Sequence, residues 1–439
     1  MTMRTSRLIA AATLLTVGVP SVLAGQREME KLPGRWEGTI GVGTSAGPIA
    51  VVIRRDGSRM RGSFDAPEAG VLEWPLVVTI DTAATIRMRL PNGYTLQGSL
   101  GREHISGTVQ ANGKTTRFVL RRAKPITVPY ETQDVVFQSG TVHLAGTVYS
   151  PASGGRHPGV IFAHGSGEVD RTADLFLGDF LARHGIVVLL YDKRGVGRSS
   201  GDWRGTSLDT LAADALAGVE LLRARGEVDP KRVGVAGRSQ GGQLALIAAS
   251  RSADVAFAID ISGSLVHPWQ QMNYETAATM KRDNMSAEDS VAAQAFLKEK
   301  WNVAETGEGW NALSSDISRL RANNVRWLGY VQVPDKLTDI TGSWQGQMGY
   351  DYQPLLALLD KPLLALFGDR DTSTPVVETV QIIHRSINSR QERNVTIRVF
   401  EKADHALLVW PSLKEFALPK YPPGYPSILA QWIHGRIRN

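Results

Sequence analysis

Between residues 31 and 122 apolar and polar side chains alternate in short runs, as where Ile86, Met88 and Leu90 are interleaved with Arg87 and Arg89. A period of two is the mark of a strand with one face covered. Turn signals at Asp56-Gly57, Pro91-Asn92-Gly93 and Asn112-Gly113 part these runs into roughly eight strands, the spacing of a small antiparallel barrel or sandwich. Residues 123–133, with Pro125 and Pro129, interrupt the pattern and read as a linker. A hairpin from Val135 to Tyr149 follows, turning at Ser139-Gly140.

From Pro158 the period changes. Short apolar runs (Gly159 to Ala163, Ile186 to Tyr191, Val233 to Ala236, Val255 to Ile261, Pro362 to Phe367, Val395 to Phe400) alternate with stretches of helical period (Ala173 to His184, Ser207 to Arg225, Gln240 to Ser250, Pro375 to Ser386, Pro426 to Arg436). Strands alternating with helices predict a mostly parallel sheet covered on both faces, an α/β domain over residues 134–439. One stretch, about 264–360, departs from the rhythm. It is helix-compatible and rich in aromatics, and it is too long for a structureless loop inside a compact domain. It reads as a helical insertion over the carboxyl edge of the sheet, with most of its aromatics packing its own core and Trp344, Tyr350 and Tyr352, near its return, facing substrate.

The chemistry gathers at Gly237-Arg238-Ser239-Gln240-Gly241. A strand runs into this G-x-S-x-G and a helix leaves it, and so sharp a turn holds a serine hydroxyl up and exposed, provided its neighbours two positions away are nearly free of side chain. A serine needs a base to take its proton and an acid to orient that base. Two later strands end in candidates: Pro362 to Phe367 runs into Gly368-Asp369-Arg370-Asp371, and Val395 to Phe400 into Glu401-Lys402-Ala403-Asp404-His405. Ser239, Asp371 and His405 follow one another in the chain order of the α/β-hydrolase triad. Asp369 is the rival acid; Asp371 is preferred for its reach along the loop toward Pro375. The oxyanion formed on attack needs two fixed N–H donors, expected from the amides of Gln240 and, in His164-Gly165-Ser166-Gly167, of Ser166. His164 is expected to order that loop.

Charge and composition add limits. The net charge of +6 comes from arginines spread singly and in pairs, without the basic stripe and interleaved aromatics of a nucleic-acid surface. The absence of cysteine excludes a thiol nucleophile, disulfides and a lipoprotein anchor. Arg4 and Arg7, an apolar core from Leu8 to Val19 and small residues up to Ala24 form an export signal over residues 1–24. Its core is too short to span a bilayer, so the mature chain is expected in a bacterial periplasm or the medium, without a stable membrane anchor.

Taken together, Trp36-Glu37-Gly38 and Phe64-Asp65-Ala66-Pro67 in the β-rich part, then HGSGEVDR from His164, YDKRGVGRSSGD from Tyr191, GRSQGG from Gly237, GDRDTSTP from Gly368 and DHALL from Asp404, resemble the secreted two-domain α/β-hydrolases, similar to EstD-like esterases. The resemblance covers nearly all of the mature chain. It implies an α/β-hydrolase fold with a helical cap insertion, preceded by the β-rich domain. It also implies hydrolysis of a small carboxylic ester through an acyl-enzyme, with no metal or cofactor. A serine peptidase of aminopeptidase type or an acyl thioesterase on the same scaffold is the alternative, and a binding protein on a hydrolase fold the third reading.

Overall fold

The alternation of residues 34–123 is satisfied by closure. In a computed structural model describing residues 30–43, 46–57, 59–81, 85–111, 113–344, 347–388, 392–411 and 416–435, eight antiparallel strands form a closed barrel in sequence order. They are β1 (Gly34–Ile40), β2 (Gly47–Asp56), β3 (Arg59–Ala66), β4 (Val71–Ile80), β5 (Thr85–Arg89), β6 (Thr95–Leu100), β7 (His104–Ala111) and β8 (Lys114–Ala123). The seam is β1 against β8, with Arg35 opposite Ala123 and Ile40 opposite Phe118. In β5, Ile86 and Met88 are buried while Arg87 and Arg89 are exposed, so each strand gives one face to the barrel interior and one to solvent. Trp36 is fully buried there, and its indole N–H donates to the Leu32 carbonyl at 2.9 Å. The export segment expected over residues 1–24 lies outside the described residues.

The chain divides into two units near residue 126, with residues 411–418 assigned to the first and 68–70 to the second. The second unit has an eight-stranded sheet: β9 (Tyr130–Ser139), β10 (Val142–Pro151), β11 (His157–Ala163), β12 (Val187–Tyr191), β13 (Val228–Arg238), β14 (Ala258–Ile261), β15 (Leu363–Gly368) and β16 (Val395–Phe400). Its order is β16-β15-β14-β13-β11-β12-β10-β9. The β9–β10 hairpin is antiparallel and joins β12 antiparallel; the remaining pairs are parallel. Every residue of β12 and β15 is buried, as strands covered on both faces require.

Helices α1 (Leu175–Arg183), α2 (Leu208–Arg223) and α3 (Gln240–Arg251) follow β11, β12 and β13. The insertion supplies α4 (Pro268–Arg282), α5 (Ala287–Thr306), α6 (Trp310–Ala322), α7 (Thr338–Trp344) and α8 (Gln353–Leu358), and α9 (Val376–Ser386) and α10 (Tyr425–Gly435) follow β15 and β16. One core layer joins the sheet to α2, α3, α8 and α9, the other to α1 and α10. The insertion connects β14 to β15 and has a core of its own, built from Met280, Phe296, Leu297, Trp301, Leu313 and Trp327. Among the described residues no helix is long and apolar enough to cross a membrane.

Candidate active site

Ser239 stands between β13 and α3 with φ 54° and ψ −122°, a left-handed conformation that costs a non-glycine residue about 1–3 kcal/mol. The crowding around it explains its neighbours. A side-chain carbon on Gly237 would lie 2.3 Å from the Gly241 backbone, and one on Gly241 would lie 2.3 Å from the Ala163 carbonyl. Strand, turn and helix can therefore pass each other only with glycine at both positions. The Ser239 amide donates to the Ile261 carbonyl at 2.8 Å, which ties the turn to the end of β14. Between the glycines, Arg238 is occupied by Asp174 at 2.9 Å and donates to the Tyr421 hydroxyl at 2.8 Å.

The two candidate acids have separate partners. Asp371 is buried, and its carboxylate lies 2.9 Å (Oδ2) and 3.1 Å (Oδ1) from His405 Nδ1. Its Oδ1 also accepts the amides of Ser373 at 2.8 Å and Thr374 at 2.7 Å. With its lone pairs so engaged, the carboxylate fixes the imidazole's tilt and favours the tautomer with the proton on Nδ1. Asp369 instead accepts the Lys402 amide at 2.6 Å and helps to shape the β16 loop. Asp404 caps that loop, accepting the amides of Ala406 and Leu408 at 2.9 Å each.

Ser239, Asp371 and His405 lie just past the carboxyl ends of β13, β15 and β16, the edge at which open parallel sheets bind ligand. The His405 side chain is 30 % exposed. No hydrogen bond joins Ser239 Oγ to His405 among the described residues; contacts of this kind tighten fully only with substrate in place.

The loop after β11 passes directly over the serine. A side-chain carbon at Gly165 would come within 3.4 Å of the Arg238 carbonyl and 4.0 Å of Ser239 Cβ. The amide of Gln240, first residue of α3, has no acceptor within the helix and sits at its positive end. His164 is buried beneath the loop, 2.5 Å from the Tyr191 carbonyl through Nε2, and burial pushes its pKa down to about 4, so the ring is neutral. Its role is to anchor the loop.

The expected substrate aromatics are not brought together at this edge. Tyr352 is fully buried in the sheet core, its ring centre 4.9 Å from that of Tyr350 and tilted 47° to it, so it has no surface to offer a ligand. Tyr350 packs on the same core and donates its hydroxyl to Asp209 on α2 at 3.0 Å. The side chain of Trp344 lies outside the described residues. The insertion reaches the acid loop elsewhere: Tyr274 donates its hydroxyl to the Asp371 carbonyl at 2.9 Å, and Ser373 donates to the Glu275 carboxylate at 3.3 Å. Neither contact has a sequence signal, because the partners lie 97 and 98 residues apart.

Lys193, in the YDKRG stretch, is a further residue that sequence reasoning left without a role. It is 2 % exposed and donates to the carbonyls of Gly165 at 2.9 Å and Gly167 at 3.1 Å and to Gln240 Oε1 at 3.4 Å.

Residues 156–409 match the family of serine aminopeptidase, S33. An uncharacterized protein of Mycobacterium tuberculosis is 36% identical over 119 residues, which is 27% of this chain and 39% of that protein. The quorum-quenching protein AidA of Acinetobacter baumannii is 29% identical over 133 residues, 30% of this chain and 44% of that protein. The chain thus spans less than half the length of these relatives. Among solved structures, the esterase Pf2001 of Pyrococcus furiosus has a TM-score of 0.43 at 21% identity, covering 70% of this chain and 93% of that one. A proline iminopeptidase of Mycobacterium smegmatis has 0.45 at 16%, covering 69% and 98%.

Proposed function

The chain belongs to the serine aminopeptidase S33 family of α/β-hydrolases, and on that footing we propose that it hydrolyses small carboxylic esters through an acyl-enzyme on Ser239. His405 takes the serine proton on attack and returns it to the leaving alcohol. Asp371 holds the imidazole in the required tautomer and stabilises its cationic form. The amides of Gln240 and Ser166 receive the negative charge that develops on the carbonyl oxygen. Water then attacks the acyl-enzyme by the same route in reverse. The observation that carries this reading is the buried Asp371 carboxylate 2.9 Å from His405 Nδ1, at the same sheet edge as the strained Ser239 turn.

The choice of ester over amino-terminal peptide rests on the acids of the insertion. Binding a substrate ammonium out of water requires carboxylates placed to receive it. Glu288 and Asp289 sit in the first turn of α5, where Ser286 caps the helix by accepting the Asp289 amide at 3.0 Å and donating to its carboxylate at 2.8 Å. Glu305 accepts the Met348 amide at 3.0 Å. The aminopeptidase reading is favoured by one feature, Glu275 at the acid loop, and that carboxylate is exposed and shared with Ser373.

Purified protein assayed on nitrophenyl esters and on aminoacyl anilides decides between them. The ester reading expects kcat/KM at least ~100-fold higher for short-chain esters, about 2.7 kcal/mol in transition-state stabilisation. Anilide cleavage of equal efficiency, abolished in Glu275→Gln, would establish the peptidase instead. The export reading of residues 1–24 is part of this proposal, and a mature amino terminus at Gly25 in the secreted or periplasmic fraction tests it.

A further inference from the structure

Lys193 follows β12, and its ammonium group has three protons and three protein acceptors: the Gly165 carbonyl, the Gly167 carbonyl and the side-chain oxygen of Gln240. The Trp203 ring, 5.0 Å away, covers a further side. The Lys193 backbone joins the same loop, its amide donating to the Val169 carbonyl at 3.3 Å. One buried charge thus holds both segments from which the oxyanion donors are drawn.

Peptide geometry turns this contact into a directional constraint. The Gly165 carbonyl and the Ser166 N–H belong to one planar trans unit and point in opposite directions. With the carbonyl fixed on Lys193, the N–H is aimed away from Lys193. Rotation of that peptide, which would turn an oxygen toward the incoming carbonyl, would leave a buried ammonium short of an acceptor, a change that costs more than a neutral hydrogen bond. Such a rotation would change ψ of Gly165, which has no side chain to resist it. From this geometry, and resting on the proposed ester hydrolysis, we infer that Lys193 is a positioning residue that holds the Gly165–Ser166 peptide in the orientation that keeps the oxyanion site formed. It touches no reacting atom and acts through the two carbonyls and Gln240.

The charge state of Lys193 makes the device sensitive to pH. Burial pushes its pKa down to about 8. The groups that face it are the carbonyls, Gln240 and Trp203, with the neutral His164 beneath the loop and Arg204 on the Trp203 ring at 4.8 Å. Above that pH the neutral amine donates fewer and weaker hydrogen bonds, so turnover falls on the alkaline side.

Steady-state kinetics of full-length wild type, Lys193→Met, Lys193→Arg and Ser239→Ala on nitrophenyl butyrate, with folding followed by thermal melts, tests this. Lys193→Met is expected to lower kcat about 10- to 100-fold, less than the ~10²–10³ of deleting a donor outright, with KM changed less than twofold. Wild-type kcat is expected to fall as pH rises through 8, and Lys193→Arg, which cannot titrate there, to lose that limb. A folded Lys193→Met with wild-type kcat would overturn the role of Lys193, and a wild-type kcat flat from pH 7 to 10 would overturn its sensitivity to pH, while either leaves the hydrolase reading in place. Wild-type turnover no greater than that of Ser239→Ala would overturn the hydrolase reading and this inference with it.

Discussion

At the scale of single residues, what a side chain can do depends on which groups hold it. Asp371 and Asp369 are two positions apart, yet Asp371 accepts His405 and two amides whereas Asp369 accepts the Lys402 amide. Asp371→Asn is therefore expected to reduce kcat on a good ester by about 10⁴-fold through the wrong tautomer, and Asp369→Asn by less than tenfold; equal losses in the two variants would remove Asp371 from its role. The strand-to-helix turn at Ser239 was legible because G-x-S-x-G has a steric cause, seen here in the 2.3 Å approach of a side-chain carbon at Gly237 to Gly241. Lys193 and Tyr274 were not legible. Their acceptors are mainly backbone carbonyls far along the chain, and a carbonyl is present at every position, so no residue pattern marks the one that is used.

At the scale of elements, one tie between a loop and a helix is buried and charged. Arg194 donates to Asp214 through two bonds of 2.7 and 2.6 Å, fastening the loop that holds Lys193 to α2. Removing one partner of such a pair strands the other charge, and Asp214→Leu is expected to cost about 3–5 kcal/mol in unfolding free energy. Denaturant titration should show the double variant Arg194→Met/Asp214→Leu recovering much of that loss. In the insertion, Trp301 is 5 % exposed within its helical core. Trp301→Ala should therefore lower stability by about 3–5 kcal/mol, while the rate of active-site labelling of the folded fraction stays unchanged. Parallel strands and amphipathic helices were legible from their periods. The outer half of β9 was not: Glu131 to Asp134 are exposed and polar, because an edge strand is held by backbone bonds to β10 and needs no apolar period there.

At the scale of the molecule, strand number in the barrel followed from alternation and turns, but closure did not. The β1–β8 seam joins residues nearly a whole unit apart, such as Arg35 and Ala123, and local pattern is the same in a barrel and a sandwich. A stability signature of the second unit lies in Asp260, which is buried in β14 and accepts the Gly263 amide at 2.7 Å. Burial pushes its pKa up to about 8. The folded state thus keeps a proton that the unfolded chain releases near pH ~4. This contribution to stability is complete below that pH and is lost as pH rises through 8. Lys193 and Lys300, both pushed down to about 8, act oppositely: the cost of burying their charge is relieved only between about pH 8 and 10. Denaturation of wild type and Asp260→Asn from pH 4 to 8 should show a difference that grows in favour of the variant as pH rises; a constant difference would mean that Asp260 does not hold its proton. The central claim, that Ser239 is the nucleophile, is tested most directly by incubating the full chain with a fluorophosphonate and mapping the adduct by peptide mass. The adduct is expected on the peptide containing Ser239, and none in Ser239→Ala or after heat denaturation. Labelling of Ser239→Ala at the wild-type rate, or an adduct on any other serine, would contradict the account.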